Sequence, residues 1–240
     1  MVIEGRNSIR EAIAAGTAIG RLFVQKGLHG MEDIVDRAKS QGARVVFCDK
    51  RELDKLSDSG AHRGVIAVVE DYKYSTLDDI RALASAKGEK LFLLILDGIE
   101  DPHNLGSILR VAECSGAHGI VIPKRRAVGV NGTVVKVSSG AAQHVKVAAV
   151  NNINDTIRAL KQDFVNVYCA DMQGGAMYDT DMTGDTAIVI GSEGFGVKSL
   201  TASLCDKAIS IPQSGKVNSL NASVACGILC YELIRQRLKR

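Results

Sequence analysis

Apolar and polar positions alternate along the chain in two rhythms. In the first part, short β-rich runs trade with helical spacings. Residues 21–25 read as a strand, 31–40 as an amphipathic helix, Arg44–Cys48 as a strand, Lys50–Leu56 as a short helix and 65–70 as an apolar strand. That pattern predicts a small α/β domain over residues 1–73. Residues 74–89 turn polar and charged but keep helical spacing at Leu77, Ile80 and Leu83, which reads as a linker helix. From residue 90 the rhythm sharpens. Strands are expected at 91–97, Gly119–Pro123, 145–150, 167–171, 187–191 and 208–212, with helical patterns between most of them. Such βα units predict an α/β domain over 90–240 built on a mainly parallel sheet.

Ligands on open sheets of this kind sit where strands hand over to loops at their carboxyl ends. Three such junctions carry unusual residues: 97–110, 191–196 and 211–221. Common nucleotide signatures do not fit them. Gly191, Gly194 and Gly196 miss the G-x-G-x-x-G spacing, and no acidic residue follows about twenty positions later to hold a ribose. Gly215-Lys216 is followed by Val217 and lacks the upstream glycine of an ATP phosphate loop. There is neither an H-E-x-x-H nor a G-x-S-x-G motif. Asp97, Glu100, Asp101 and His103 crowd one strand end, and a metal site is the first thought. Carboxylates before a helix N-terminus are stabilised by the helix dipole without a metal, and that reading is preferred.

Composition narrows the partners. The 240 residues are 46% hydrophobic and 24% charged, which excludes wholesale disorder and allows a sizeable core. Thirty basic residues against 27 acidic ones leave a net charge of +3, which permits a nucleic-acid partner without requiring one. Aromatics are 4% with no Trp, so base-stacking platforms must be sparse. The six cysteines form no C-x-x-C pair, which argues against a zinc knuckle or a disulfide framework. Glu4, Arg6, Arg10 and Glu11 interrupt the opening twenty residues, and the longest apolar run, 91–96, is too short to span a bilayer. The expectation is a cytoplasmic protein with no membrane partner and no metal.

In the first junction Leu105, Ile108, Leu109 and Ala112 form a helical core stripe, and Arg110 points about 140° away from it. Arg110 is either a solvated surface arginine or a phosphate-binding fork beside Asn104. In the second junction three glycines let backbone amides approach a ligand, with Glu193 as the charge among them. In the third, Ser219 and Asn221 stand where a long helix begins, as caps or as ligand contacts.

Taken in order, D-P-H-N-L-G-S-I-L-R, I-G-S-E-G and I-P-x-x-G-x-V-x-S-L-N closely resemble the three motifs of the SpoU/TrmH family. These are RNA ribose 2′-O-methyltransferases of the SPOUT superfamily. The opening V-I-E-G-R-N-S-I-R-E-A and His62-Arg63-Gly64-Val65 look like the family's ribosomal-protein-like substrate-binding domain. The arrangement is most similar to the bacterial 23S rRNA (guanosine-2′-O)-methyltransferase branch, which usually has Gln at position 63, Met at 213 and Val at 222. This chain has Arg63, Gln213 and Ala222.

The resemblance implies a deep trefoil knot at the C-terminal end, a rare exception to the rule against knots. It implies S-adenosylmethionine as cofactor, held around Gly191, Gly194, Ile211, Leu220 and Asn221, and RNA as substrate, with 23S rRNA expected. Arg110, Asn104, Glu193, Ser219 and Asn221 become the catalytic set, and His62 and Arg63 RNA contacts. Arg110 would act as a base or, since guanidinium is almost never deprotonated, as a clamp on phosphate and ribose. A homodimer whose subunits complete each other's sites is implied too, with Leu220, Val224, Ile228 and Tyr231 as a helical stripe ahead of the basic tail 235–240. Other readings are a methyltransferase acting on another rRNA site or on tRNA, although tRNA members generally lack the N-terminal domain. A non-catalytic assembly factor would be favoured by loss of Arg110, Asn104 or the Gly191 loop, and all are present.

Overall fold

The structure is a computed structural model that describes residues 2–14, 17, 19–57, 60–69, 72–215 and 219–238. Two compact units divide the chain: Met1–Lys73 with Asn131–Lys136, and Tyr74–Val130 with Val137–Arg240.

The first unit contains β1 (Val2–Glu4), α1 (Arg6–Ala14), β2 (Ile19–Gln25), α2 (Glu32–Ser40), β3 (Arg44–Cys48), α3 (Lys50–Leu56) and β4 (Val65–Val69). Its sheet runs β1-β4-β2-β3, parallel between β2 and β3 and antiparallel elsewhere. Ile9 and Ile13 of α1 and Ile34, Val35 and Ala38 of α2 bury against Leu22, Val24, Val65 and Ala67. The helix dipole of α2 is complemented at both ends, by Glu32 and Asp33 in its first turn and Arg37 and Lys39 in its last. β1 and α1 are elements that the periodicity reading does not assign. β1 has three half-buried residues and no alternation to detect, whereas the Ile9–Ile13 spacing of α1 was available. The strand expected over 65–70 is observed to Val69, and residue 70 lies outside the described residues.

In the second unit, α4 (Leu77–Lys87) is followed by β5 (Phe92–Asp97), α5 (Pro102–Cys114), β6 (Gly119–Pro123), α6 (Gly132–Val137), β7 (Lys146–Val150), α7 (Ile153–Gln162), β8 (Asn166–Ala176), β9 (Thr186–Gly191), α8 (Ser199–Leu204), β10 (Lys207–Ser210) and α9 (Ala222–Leu238). Most of α6 groups with the first unit. The helix expected as a linker is a packed part of the second unit instead. Ile80 and Ala84 of α4 are buried with Leu93, Ile95, Ile157 and Val189, because their spacing makes an apolar stripe that needs covering. Thr76 caps that helix, accepting the Asp79 amide at 3.1 Å.

All pairings of the six-stranded sheet are parallel, in the order β10-β8-β9-β5-β6-β7. β5 is buried along its whole length, as a strand covered on both faces must be. From β5 the chain winds outward through β6 to β7, then crosses to β8 and returns to β9. The order therefore reverses between β5 and β9, where Asp97 pairs in register with Gly191. A crevice at the carboxyl end of that pair is the place such sheets offer a ligand. α5 and α9 pack against each other, with Gly227 allowing Val111 close approach. Arg237 fastens the end of α9 by donating to the carbonyls of Lys90, Leu91 and Gly184 at 2.8–2.9 Å. The knot implied by the resemblance would close through 211–221, of which residues 216–218 lie outside the described residues, as does the tail at 239–240.

Candidate active site

The crevice is built by loops from the three junctions. Asp97 ends β5 as a buried carboxylate and accepts the Lys198 backbone amide at 3.0 Å and its ammonium at 2.7 Å. Asp101 caps α5 by accepting the His103 amide at 2.9 Å, with Pro102 at the first helical position. Asp97 and Asp101 of the acidic cluster are thus occupied, by an ion pair and by helix capping. Among the described residues no group of three His, Cys, Asp or Glu converges in a way that could hold a metal ion.

After β9 the chain folds back on itself. Ser192 and Gly196 exchange backbone hydrogen bonds at 3.1 and 2.8 Å. This turn passes so near the end of β9 that a Cβ on Gly191 would overlap the backbone of Gly196 and Val197. Only glycine fits there.

Three polar side chains knit the loops together. Asn104 donates its amide to the Glu193 carboxylate at 3.1 Å and accepts from the Asn221 amide at 2.9 Å. Asn221 also donates to Glu193, while its oxygen accepts from the Ser223 amide at 2.9 Å and so caps α9. Asn104 is buried, and both its side-chain nitrogen and its side-chain oxygen have a partner.

Beside this triad lies a cavity of about 440 Å³, within the size range of small-molecule sites. Gly191, Gly194, Ile211 and Leu220 line it, as do Glu193 and Ser219. Asn221 is not among its walls and reaches the site through Glu193. The sequence reading missed Ala170, Asp171 and Met172, which also line it. Their signal was present, since the strand expected over 167–171 ends at a carboxylate and makes a fourth junction. Apolar walls at Ile190, Ile209 and Ile211 suit the faces of a purine. The Gly191–Gly196 backbone offers donors and acceptors to its edge, and Glu193 and Asp171 place negative charge where a cationic ligand would rest. The residues fit an adenosine cofactor bearing a sulfonium.

Arg110 stands apart. It is exposed, six residues beyond Asn104 on α5, about 9 Å along the helix axis, and is not among the residues lining the 440 Å³ cavity. His62, expected as an RNA contact, lies in the interior of its own unit. It is buried, its Nε2 meets Asp54 at 2.9 Å and its Nδ1 accepts the Gly64 amide at 3.0 Å, so neither ring nitrogen faces solvent. Arg63 beside it is exposed, with φ +49°, and its neighbours around a surface cavity include Arg6, Asn7 and Ser8. His62 shapes the turn that presents Arg63.

Comparison with known proteins agrees with this geometry. The model of the SpoU rRNA methylase family matches residues 91–231, and that of the RNA 2′-O ribose methyltransferase substrate-binding domain matches 2–75. YacO of Bacillus subtilis, named for the TrmH family of tRNA/rRNA methyltransferases, is 42% identical over 236 residues, covering 97% of this chain and 94% of its own. The crystal structure of the SpoU methyltransferase AviRb from Streptomyces viridochromogenes, in complex with AdoMet, superposes with a TM-score of 0.73 at 26% identity, over 99% of this chain and 90% of AviRb. An AdoMet-bound rRNA methyltransferase from Sinorhizobium meliloti shares the fold, with a TM-score of 0.66 at 24% identity over 98% of this chain and 86% of its own. The α/β architecture, with its small N-terminal domain and C-terminal parallel sheet, is the SPOUT fold. With 91–231 of its 240 residues matching, the chain belongs to the SpoU rRNA methylase family.

Proposed function

We propose that this RNA methyltransferase methylates the ribose 2′-hydroxyl of a guanosine in 23S rRNA. The observation that carries the reading is the Asn104–Glu193–Asn221 triad, which joins all three motif loops beside a purine-sized cavity at the β5/β9 switch point. The cofactor is S-adenosylmethionine. When bound it would supply an electrophilic sulfonium methyl group for transfer to a ribose oxygen.

A ribose hydroxyl is a poor nucleophile and must shed its proton during transfer. The protein's part is therefore placement. Gly191, Gly194, Ile211 and Leu220 hold the cofactor, and Ser219 and Asn104 hydrogen-bond toward the ribose. Glu193 is fixed by two amides, which aims its charge. Arg110 clamps a phosphate with its planar fork and the proton leaves to water, because a guanidinium does not take one up near neutral pH.

Arg110 is exposed and is not among the residues lining the cofactor cavity, and this supports a homodimer in which it serves the partner's site. Val224 and Tyr231 of α9 are exposed and Ile228 is half-buried, an unpartnered stripe at i, i+4 and i+7 beside α5. In the first unit, Arg63 contacts RNA phosphate and His62 positions it. Among the described residues no helix is long and apolar enough to cross a membrane, and an rRNA substrate goes with a cytoplasmic location.

Mapping 2′-O-methyl positions in ribosomal RNA from cells with and without the protein tests the reading. One guanosine of 23S rRNA losing its methyl group is the expected result. An unchanged 23S map, or loss only in tRNA, would overturn it.

A further inference from the structure

A second cavity of about 790 Å³ opens next to the first, and Ser192, Glu193, Gly194, Phe195 and Val197 line both. Glu100 and Arg126 line this second cavity and not the first, and Phe195 stands at the wall that the two share. Phe195 is 93% exposed, an apolar ring at the tip of a polar turn in a chain with few aromatics. The other carboxylates here are engaged. Asp97 takes Lys198, Asp101 takes the His103 amide, and Glu193 takes two asparagine amides. Among the described residues no protein donor reaches Glu100. The cavity thus combines an open aromatic face, an uncommitted acceptor pair and an exposed cation at Arg126.

We propose that this cavity receives the acceptor nucleotide and selects guanine, with Phe195 stacking on the base, Glu100 reading its Watson–Crick edge and Arg126 meeting its phosphate. The inference rests on the RNA-methylation reading and deepens it. A base unstacked for chemistry is held between aromatic or apolar groups and read on its Watson–Crick edge. Guanine presents two adjacent donors there, N1–H and the exocyclic amine, which match the two oxygens of one carboxylate. Hypoxanthine keeps only the first donor. Adenine places an acceptor at N1, which faces the carboxylate with like polarity. The order of preference is therefore guanine, hypoxanthine, adenine. Stacking is indifferent to that order, so Phe195 supplies affinity and Glu100 supplies the choice.

The test is titration of the full-length protein, loaded with S-adenosylmethionine, with GMP, IMP and AMP, followed by NMR saturation transfer. GMP is expected to bind at least about tenfold more tightly than AMP, with IMP between, from the loss of one or both charge-assisted bonds. Glu100→Gln should abolish the discrimination while calorimetry shows cofactor affinity unchanged. Phe195→Ala should weaken all three nucleotides about equally, by about tenfold. Equal binding of the three nucleotides to the unaltered protein, or discrimination surviving Glu100→Gln, would overturn the inference. Methyl transfer to a 23S transcript runs alongside. If the unaltered protein discriminates among nucleotides yet transfers nothing to that RNA, the substrate reading fails and the pocket stands. If it methylates 23S RNA at a nucleoside other than guanosine, the pocket assignment fails and ribose methylation stands.

Discussion

The side-chain amide of Asn104 sits 3.1 Å from the carboxylate of Glu193, across 89 residues of chain. One residue comes from the helix after β5 and the other from the turn after β9, so the contact spans the switch point of the sheet. Asn221 closes the third side. Groups wired together this closely should not act independently. A double-mutant cycle of Asn104→Ala and Glu193→Ala, read in single-turnover methyl transfer, should give a coupling energy of about 1–3 kcal/mol. Additive losses would mean that the two side chains work separately.

Gly191 is the steric keystone of the cofactor cavity. Gly191→Ala must displace backbone atoms of Gly196 and Val197, which no rotamer change relieves. Calorimetry should show S-adenosylmethionine affinity reduced by more than about tenfold, since the turn that forms the cavity wall has to move. Gly194→Ala is the control. Nothing lies within 4 Å of a Cβ there, and its effect should be small.

Arg110→Ala should leave folding and cofactor affinity intact, because the side chain is exposed and off the core stripe. The transfer rate should fall about 100-fold, close to 3 kcal/mol of transition-state stabilisation. Arg110→Lys should not rescue it, since an ammonium cannot reproduce the fork. Co-expressing Arg110→Ala with Gly191→Ala separates two arrangements. If Arg110 serves the partner's cavity, mixed dimers contain one working site and restore about a quarter of normal activity. If it serves its own cavity, each site of a mixed dimer keeps one of the two defects, and no activity returns.

Most of the second unit was legible because its strands are unbroken apolar runs and its helices carry clean stripes. The runs now assigned to β5, β6 and β9 were each located to within a residue. Motif order disclosed the three loops, and the fold brings Asn104, Glu193 and Asn221 into contact. What sequence could not carry was depth. His62 looks like a surface ligand beside Arg63, yet it is buried because Asp54 and the Gly64 amide satisfy both ring nitrogens. Nor does spacing tell that α4 is core rather than linker, since a three-residue stripe suits either until the partner strands are placed.

A second buried histidine makes stability depend on pH. His118 accepts the Phe92 amide on Nδ1 at 3.0 Å and faces Glu89 through Nε2 at 3.0 Å. Burial holds its pKa below the ordinary 6.5, against the opposing pull of Glu89. Unfolded chains therefore bind a proton that the folded protein refuses. The contribution of His118 is complete above pH 6.5 and is lost as pH falls from there through the folded-state value. Urea midpoints measured from pH 8 down to 5 should decline over that window. His118→Asn should flatten this part of the decline, and an identical profile for the variant would remove His118 as its source.

The central claim is that the crevice at Asp97 and Gly191 directs methyl transfer to a ribose oxygen. A 2′-O-methyl group removes the hydroxyl that attacks the neighbouring phosphodiester in alkali, so the chemistry marks its own position. Large-subunit RNA lacking this modification, incubated with the protein and methyl-tritiated S-adenosylmethionine, is digested to completion in alkali. The account predicts tritium in alkali-stable dinucleotides whose 5′ residue is guanosine. Tritium recovered only in mononucleotides would place the methyl on a base and contradict it.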